Sequence, residues 1–367
     1  MKFAKLDTLD DELIYKRVKI RVGSSKSLYT PIKATNFLNP VSPINEMYRQ
    51  FNTDSLDEII KNESKERKVN SEISKLKTNE FNFFYVNYTG REKPNKNQLE
   101  ALSDIQYSHS DVVIPPLFSN IVRDLKEDKL LNDFLDLTNQ SLEISETLNN
   151  KPLMGIIPAL MPRQFLKPII KNYFNRGINS FAIDFNGRSM DTNISWARNL
   201  MRLIAEYDLS EQSFLYGLNC NAGRFIKKSD RILAKDFISM GCGIDILGIN
   251  HIPPRMSSAD WRNLKKQRKE SLFRVFDSKG YAYIKTGESE LRNRISGKIG
   301  DEIKKFNLAS QYNESVILQQ KLGESNTIEP YIQNKDMITP DLIKNMKILR
   351  KEAFDHLNYE KIDKWFD

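Results

Sequence analysis

The chain carries few residues fit for chemistry, and they gather at the ends of short apolar runs. Asp184-Phe-Asn-Gly-Arg188 closes one run. In extended backbone Asp184 and Asn186 point the same way, with Arg188 just beyond at a helix start. An Asp at a strand terminus beside a glycine turn can hold a ribose or base edge, attack as a nucleophile or act as a general base, with Arg188 as its counter-charge. A purely structural Asp–Arg pair or a helix cap uses the same residues. Asn250-His-Ile-Pro-Pro-Arg255 ends another run. There His251, one of only three histidines, suits proton transfer near neutral pH, and Arg255 suits a phosphate clamp. A lone histidine in a proline-rich loop also often makes only a backbone hydrogen bond. Asp245, within the preceding run, is either a displaced nucleophile or a charged core residue.

Two further loops supply binding groups. Asn219-Cys-Asn-Ala-Gly-Arg224 joins amides to a glycine that allows close approach of a ligand. Asn87, Thr89 and Arg91 follow their own apolar run in the same manner. A plain turn leading into a helix accounts for either loop equally well.

Positioning these groups requires strands that alternate with helices. Leu153–Ile157, Ser180–Asp184, Ser213–Gly217 and Gly243–Asn250 read as strands, with helical patterns between them. Parallel strands need long connections, so the alternation predicts a parallel sheet whose ligands sit beyond the strands' carboxyl ends. A length of 367 residues accommodates a (β/α)8 TIM-like barrel, which takes about 250 residues, with additions. The expected layout is an N-terminal extension over 1–80 with a charged insertion at 53–80, a barrel core over 81–285, and a helical C-terminal region over 286–367 packed on the barrel. Within the first part Arg17–Val22 alternates as a strand; further on, Asn82–Asn87 and Asp111–Ile114 read as strands and Asn97–Ser108 as a helix. Leu272–Ile284 reads as a hairpin turning at Asp277–Gly280.

Composition narrows the class. Two cysteines and no Cys/His spacing of the metal-binding kind argue against a disulfide framework and a zinc site. No cofactor is expected. No apolar run is long enough to span a bilayer, and acidic residues stand where a signal peptide would be apolar, so a cytoplasmic protein without a membrane partner is expected. The net charge of +8 suits a polyanion. A basic helix, Ser258–Glu270, carries Trp261, Arg262, Lys265, Lys266, Arg268 and Lys269, and a second basic stretch carries Arg292, Arg294, Lys298, Lys304 and Lys305. Together they could follow a sugar–phosphate backbone while Trp261 or Tyr281 stacks a base. Solvated helix faces look the same in sequence. A homo- or heterodimer is open.

The order of these pieces resembles the tRNA-guanine transglycosylase superfamily. Gln98–Ile114 is similar to the helix and strand leading to that family's base-binding Asp, Leu153-Met-Gly-Ile-Ile-Pro158 to its Phe-Gly-Ile-Val-Gln strand, Asn175–Ile183 to the strand before its Gly-Gly turn, Met240–Gly248 to the strand ending in its nucleophilic Asp, and Leu272–Ile284 to its hairpin. The resemblance spans roughly 80–285. It implies a (β/α)8 barrel that exchanges a base in tRNA or DNA for a 7-deazaguanine. The departures are specific: Asn87 stands near an expected Asp, Pro116 near the base-binding Asp, Pro158 at a Gln, Asp184-Phe185 at the Gly-Gly turn and Gly248 at the nucleophile, with Asp245 three residues earlier. The family's zinc-binding cluster is missing. An active version would therefore use altered residues, with Asp184 or Asp245 as nucleophile, His251 as proton carrier, and Arg188 and Arg255 as clamps. A non-catalytic nucleic-acid-binding paralogue or partner subunit, and a barrel enzyme for a small phosphorylated metabolite, are the competing expectations.

Overall fold

The computed structural model describes residues 3–36, 40–73, 80–123, 128–148, 151–224, 229–252, 262, 271–325 and 327–355. Strands β1 (Ala4–Leu9), β2 (Lys16–Val22) and β3 (Lys26–Tyr29) form an antiparallel sheet in that order. Then follow β4 (Ile32–Lys33), β5 (Ile44–Phe51), β6 (Phe81–Tyr88), β7 (Leu117–Phe118), β8 (Gly155–Pro158), β9 (Phe181–Asp184), β10 (Leu215–Leu218), β11 (Arg231–Leu233), β12 (Ile246–Leu247), β13 (Leu272–Asp277) and β14 (Ala282–Gly287).

The centre is a mixed α/β arrangement of parallel sheets. One sheet has the order β4-β12-β10-β9-β8 and the other β5-β6-β7, with every neighbouring pair parallel. Two isolated parallel bridges lie between their edges, Thr35 with Asn45 and Val113 with Leu153. Parallel sheets covered on both faces read as unbroken apolar runs rather than alternating ones. β6 is such a strand: Phe81-Asn-Phe-Phe-Tyr-Val-Asn-Tyr88 is buried at every position. Its Phe83, Phe84 and Tyr85 are fully enclosed, and each large side chain so buried contributes roughly 1.5–3 kcal/mol.

Helices fill the connections, and their starts are written in the sequence. Asn52 caps Thr53–Lys61 through a reciprocal pair with Ser55, and Asn95 caps Lys96–His109 through the same device with Gln98. Ile194–Glu206 turns Trp196, Leu200 and Leu203 inward. After the parallel strands, β11-β14-β13 form an antiparallel sheet, and the long helix Ile299–Glu324 packs beside β4, where Ser315 Oγ accepts from Lys33 N at 3.1 Å.

Three expectations change. The border drawn at residue 80 falls between two hydrogen-bonded strands, because β5 pairs with β6 in register over eight residues, from Ile44 with Phe81 to Phe51 with Tyr88. The stretch 53–80 is not a mere insertion: Leu56 and Ile59 of its first helix are buried, although Glu63–Ile73 after it is mostly exposed. The expected strand at Asp111–Ile114 shrinks to the bridge at Val113, since Pro115 and Pro116 withhold the amides a ladder needs. The hairpin stands where expected, and β11 joins it as a third strand.

Candidate functional site

Asp184 ends β9 and lies in register with Leu218, the last residue of β10. The next residue, Asn219, adopts a left-handed backbone with φ of 57°, a conformation that asparagine tolerates better than most residues. This turn swings its side chain back across the strand ends. Asn219 Nδ2 donates to Asp184 Oδ1 at 2.6 Å, and Asn219 Oδ1 accepts from the backbone N–H of His251 at 2.9 Å. One amide therefore ties together the ends of three consecutive parallel strands. Asn186, also left-handed at φ 45°, adds its N–H to Asp184 Oδ1 at 3.2 Å.

The imidazole of His251 faces β5. Its Nε2 meets Glu46 Oε1 at 2.5 Å, and its ring stacks on Tyr48 with centroids 4.7 Å apart and planes 11° from parallel. Glu46 is fully enclosed; it accepts from Ile249 N at 3.0 and 3.1 Å and from the Tyr216 hydroxyl. Tyr48 Oη accepts from Asn87 Nδ2 at 2.9 Å and from Gln50 Nε2 at 2.6 Å. The result is a chain of contacts, Asp184–Asn219–His251–Glu46, with Tyr48 and Asn87 beside it. Two buried polar atoms at this place, Tyr85 Oη and Asn87 Oδ1, have no hydrogen-bond partner among the described residues. Unpartnered buried polar atoms are uncommon and cluster where a ligand or water completes the set.

Electrostatics mark Asp184 out. Burial pushes its carboxyl up to about 6, against the opposing pull of Asn219, the Asn186 N–H and His251. Its hydrogen-bond donors are neutral, so it can gain or lose a proton without stranding a partner charge. Burial also raises the Tyr48 and Tyr85 hydroxyls, with the Asp184 charge adding to both shifts.

The remaining expected residues divide. Asp245 does not join the cluster: it precedes β12, accepts from Leu215 N at 2.8 Å and faces Lys16 at 3.6 Å, at the strands' amino ends. Arg188 is exposed and makes no ion pair with Asp184 among the described residues. Thr89 spends its hydroxyl and N–H on Phe51 O. Asn250 is exposed and closes a local turn onto Ile252 N. Arg292 and Arg294 pair with Glu288 and Glu290 one helical turn away, so that stretch is not an uncompensated basic track. Arg262 is exposed. Arg255, Trp261, Lys265, Lys266, Arg268 and Lys269 lie outside the described residues. Among the described residues no group of three His, Cys, Asp or Glu could hold a metal ion, and no helix is long and apolar enough to cross a membrane.

Glu46, Tyr48 and Tyr85 were hidden in the sequence. Glu46 and Tyr48 lie within 1–80, the expected extension, and Tyr85 lies in the apolar run expected as a strand over Asn82–Asn87. The available signal was the carboxylate of Glu46 in Ile44–Phe51, a segment that runs into the helix cap Asn52.

No protein-family model matches this chain, and no curated protein matches it. Among solved structures it is similar to the YdjI aldolase from Escherichia coli K12, at 10% identity and a TM-score of 0.36, over 80% of this chain and 93% of that one. It is also similar to the enoyl reductase domain of MlnA from the macrolactin biosynthesis cluster of Bacillus amyloliquefaciens, at 9% identity and a TM-score of 0.29, over 86% and 81%. Neither likeness bears on the chemistry of the cluster.

Proposed function

We propose that the parallel segments close into a (β/α)8 ring, and that Asp184, His251 and Glu46 at its carboxyl-end rim catalyse glycosyl transfer of the transglycosylase type on a nucleoside unit of tRNA or DNA. Closure is supported by the two bridges, Thr35–Asn45 and Val113–Leu153, which fall between the edges of the two parallel sheets. In such rings the loops after the strands carry the chemistry.

The observation that carries the reading is the hydrogen-bonded chain from Asp184 through Asn219 to His251 and Glu46. With its carboxyl held near 6, Asp184 is mostly ionised at pH 7. In the proposed first step a carboxylate oxygen of Asp184 attacks the anomeric carbon, the C–N bond to the base breaks with its electron pair leaving on the base, and His251 supplies the proton the base takes up. An incoming base then attacks the same carbon, its N–H proton returns to His251, and the Asp184 ester bond breaks. Glu46 orients the imidazole, while Tyr48 covers its face. The test is incubation with tRNA and with duplex DNA in the presence of labelled guanine and a 7-deazaguanine. Asp184→Asn and His251→Ala should abolish incorporation. Exchange that survives both substitutions overturns the roles.

One observation favours a second reading, a small phosphorylated substrate in place of a polynucleotide. In the described part of the basic C-terminal stretch, Arg292, Arg294, Lys298 and Lys305 are each matched by a nearby acid. Turnover of free nucleosides or sugar phosphates, with no salt-sensitive binding of tRNA or DNA, would select it.

A further inference from the structure

Three lysines among the described residues are buried: Lys16, Lys33 and Lys335. Two have the counter-charge that a buried ammonium requires. Lys16 faces Asp245 at 3.6 Å and Lys335 faces Glu314 at 2.9 Å. Lys33, the least exposed of the three at 3%, forms no ion pair with a described carboxylate. Its Nζ donates instead to the carbonyls of Gly248 at 2.5 Å and Leu247 at 3.3 Å. Burial lowers its pKa, while the nearest acids, Glu46 and Asp236, act on it only through space. Both are engaged elsewhere: Glu46 with His251, and Asp236 Oδ2 with the Tyr283 hydroxyl at 2.7 Å and Gln311 Nε2 at 3.3 Å.

Lys33 also lines a cleft of about 440 Å³, bounded by the strand end Gly248–Asn250, by β13 and β14, and by the long helix Ile299–Glu324. That volume lies within the range of small-molecule sites, roughly 300–1,000 Å³. Its lining is mixed: Leu272, Phe273, Ile303 and Leu308 are apolar, and Lys33, Arg274 and Lys304 are basic, against one carboxylate among the described lining residues, that of Asp236. We propose that this cleft is a binding site for a small organic anion, whose phosphate or carboxylate supplies the charge Lys33 lacks and whose apolar body lies against Phe273 and Leu272. The site is separate from the Asp184 cluster, although Gly248–Asn250 forms a wall of the cleft and Ile249 N on the same segment holds Glu46.

The test is titration calorimetry of the full chain with four probes: phenyl phosphate, phenylacetate, inorganic phosphate and benzyl alcohol. The two aromatic anions should bind, inorganic phosphate at least tenfold more weakly, and benzyl alcohol undetectably; the stronger of the two anions identifies the headgroup. Lys33→Met should weaken the better anion at least tenfold while leaving the thermal midpoint of the free protein unchanged or higher. Lys304→Glu, at an exposed position, should weaken it severalfold without disturbing the fold, and so serves if Lys33→Met fails to fold. Asp184→Asn should bind it as the wild type does, which keeps this outcome distinct from loss of the proposed transfer activity. Equal binding of benzyl alcohol, no binding of either aromatic anion, or unchanged affinity in both Lys variants would overturn the proposal.

Discussion

Asp184, at the end of β9, and Asp245, just before β12, are both buried in one sheet with β10 between their strands, and burial pushes both carboxyls up to about 6. They differ in what surrounds them. Asp184 stands at the carboxyl ends, held by the neutral Asn219 amide and the Asn186 N–H, beside the half-buried His251. Asp245 stands at the amino ends, clamped to Lys16, whose Nζ also donates to Ser213 O at 2.9 Å and Ser210 O at 3.3 Å. A shifted pKa alone therefore does not identify a reactive group. A carboxyl whose partners are neutral can change protonation during a reaction, whereas protonating one in a buried ion pair leaves an ammonium stranded.

The contrast is sharpest in activity. Asp184→Asn should lower turnover on the order of 10⁴-fold, the scale seen when one member of a catalytic set is removed, while the protein stays folded. Asp245→Asn should leave the turnover of the folded fraction within a few-fold of wild type. Single-turnover rates measured on both variants check this, and similar losses in the two would erase the distinction.

Stability should show the reverse. Asp245→Asn leaves Lys16 buried without its carboxylate and should cost about 3–5 kcal/mol, whereas replacing both partners, Lys16→Met with Asp245→Leu, should recover most of it. Urea midpoints at neutral pH report the difference. A single substitution as mild as the double one would mean that the pair is not the anchor of the amino-end edge.

The pH dependence of stability tests the raised pKa itself, which the two carboxyls share. The folded-state pKa of Asp184 is raised, so between its ordinary value of 3.8 and about 6 the native protein binds a proton that the unfolded chain has released. Stability from this group accordingly falls as pH rises through that window and stays reduced above it. The deficit at pH 7 is about 3 kcal/mol at 1.36 kcal/mol per unit. Asp184→Asn has no such deficit: its advantage over wild type should be near zero at about pH 4 and approach that figure at neutral pH, measured by urea unfolding. A pH-independent difference would contradict the raised pKa.

The smallest effect belongs to Tyr85. Its hydroxyl is buried without a partner among the described residues, so Tyr85→Phe should change stability by less than about 1 kcal/mol or raise it slightly. A loss well beyond that, read from the thermal midpoint, would mean that the hydroxyl makes a stabilising contact in the folded protein.

The sequence alone determined the alternation of apolar runs and capped helices, and with it the parallel sheets. Each cap and each buried run is a local property that neighbouring residues state in full: Asn95 with Gln98, Asn52 with Ser55, the eight buried positions of β6. It also placed Asp184, Asn219 and His251 at strand ends, because the end of an apolar run is visible without knowing its neighbours. Only the tertiary structure decided which strand ends meet. Glu46 reaches His251 across 205 residues of chain, and that contact depends on β5 entering the parallel sheets, where it pairs with β6, when its residues read as part of an extension. Other contacts distant in sequence pair Asp245 with Lys16 and leave Lys33 without a described carboxylate. Residue type sets the chemistry a side chain can perform, but its partners, and so its charge and freedom, come from contacts distant in sequence.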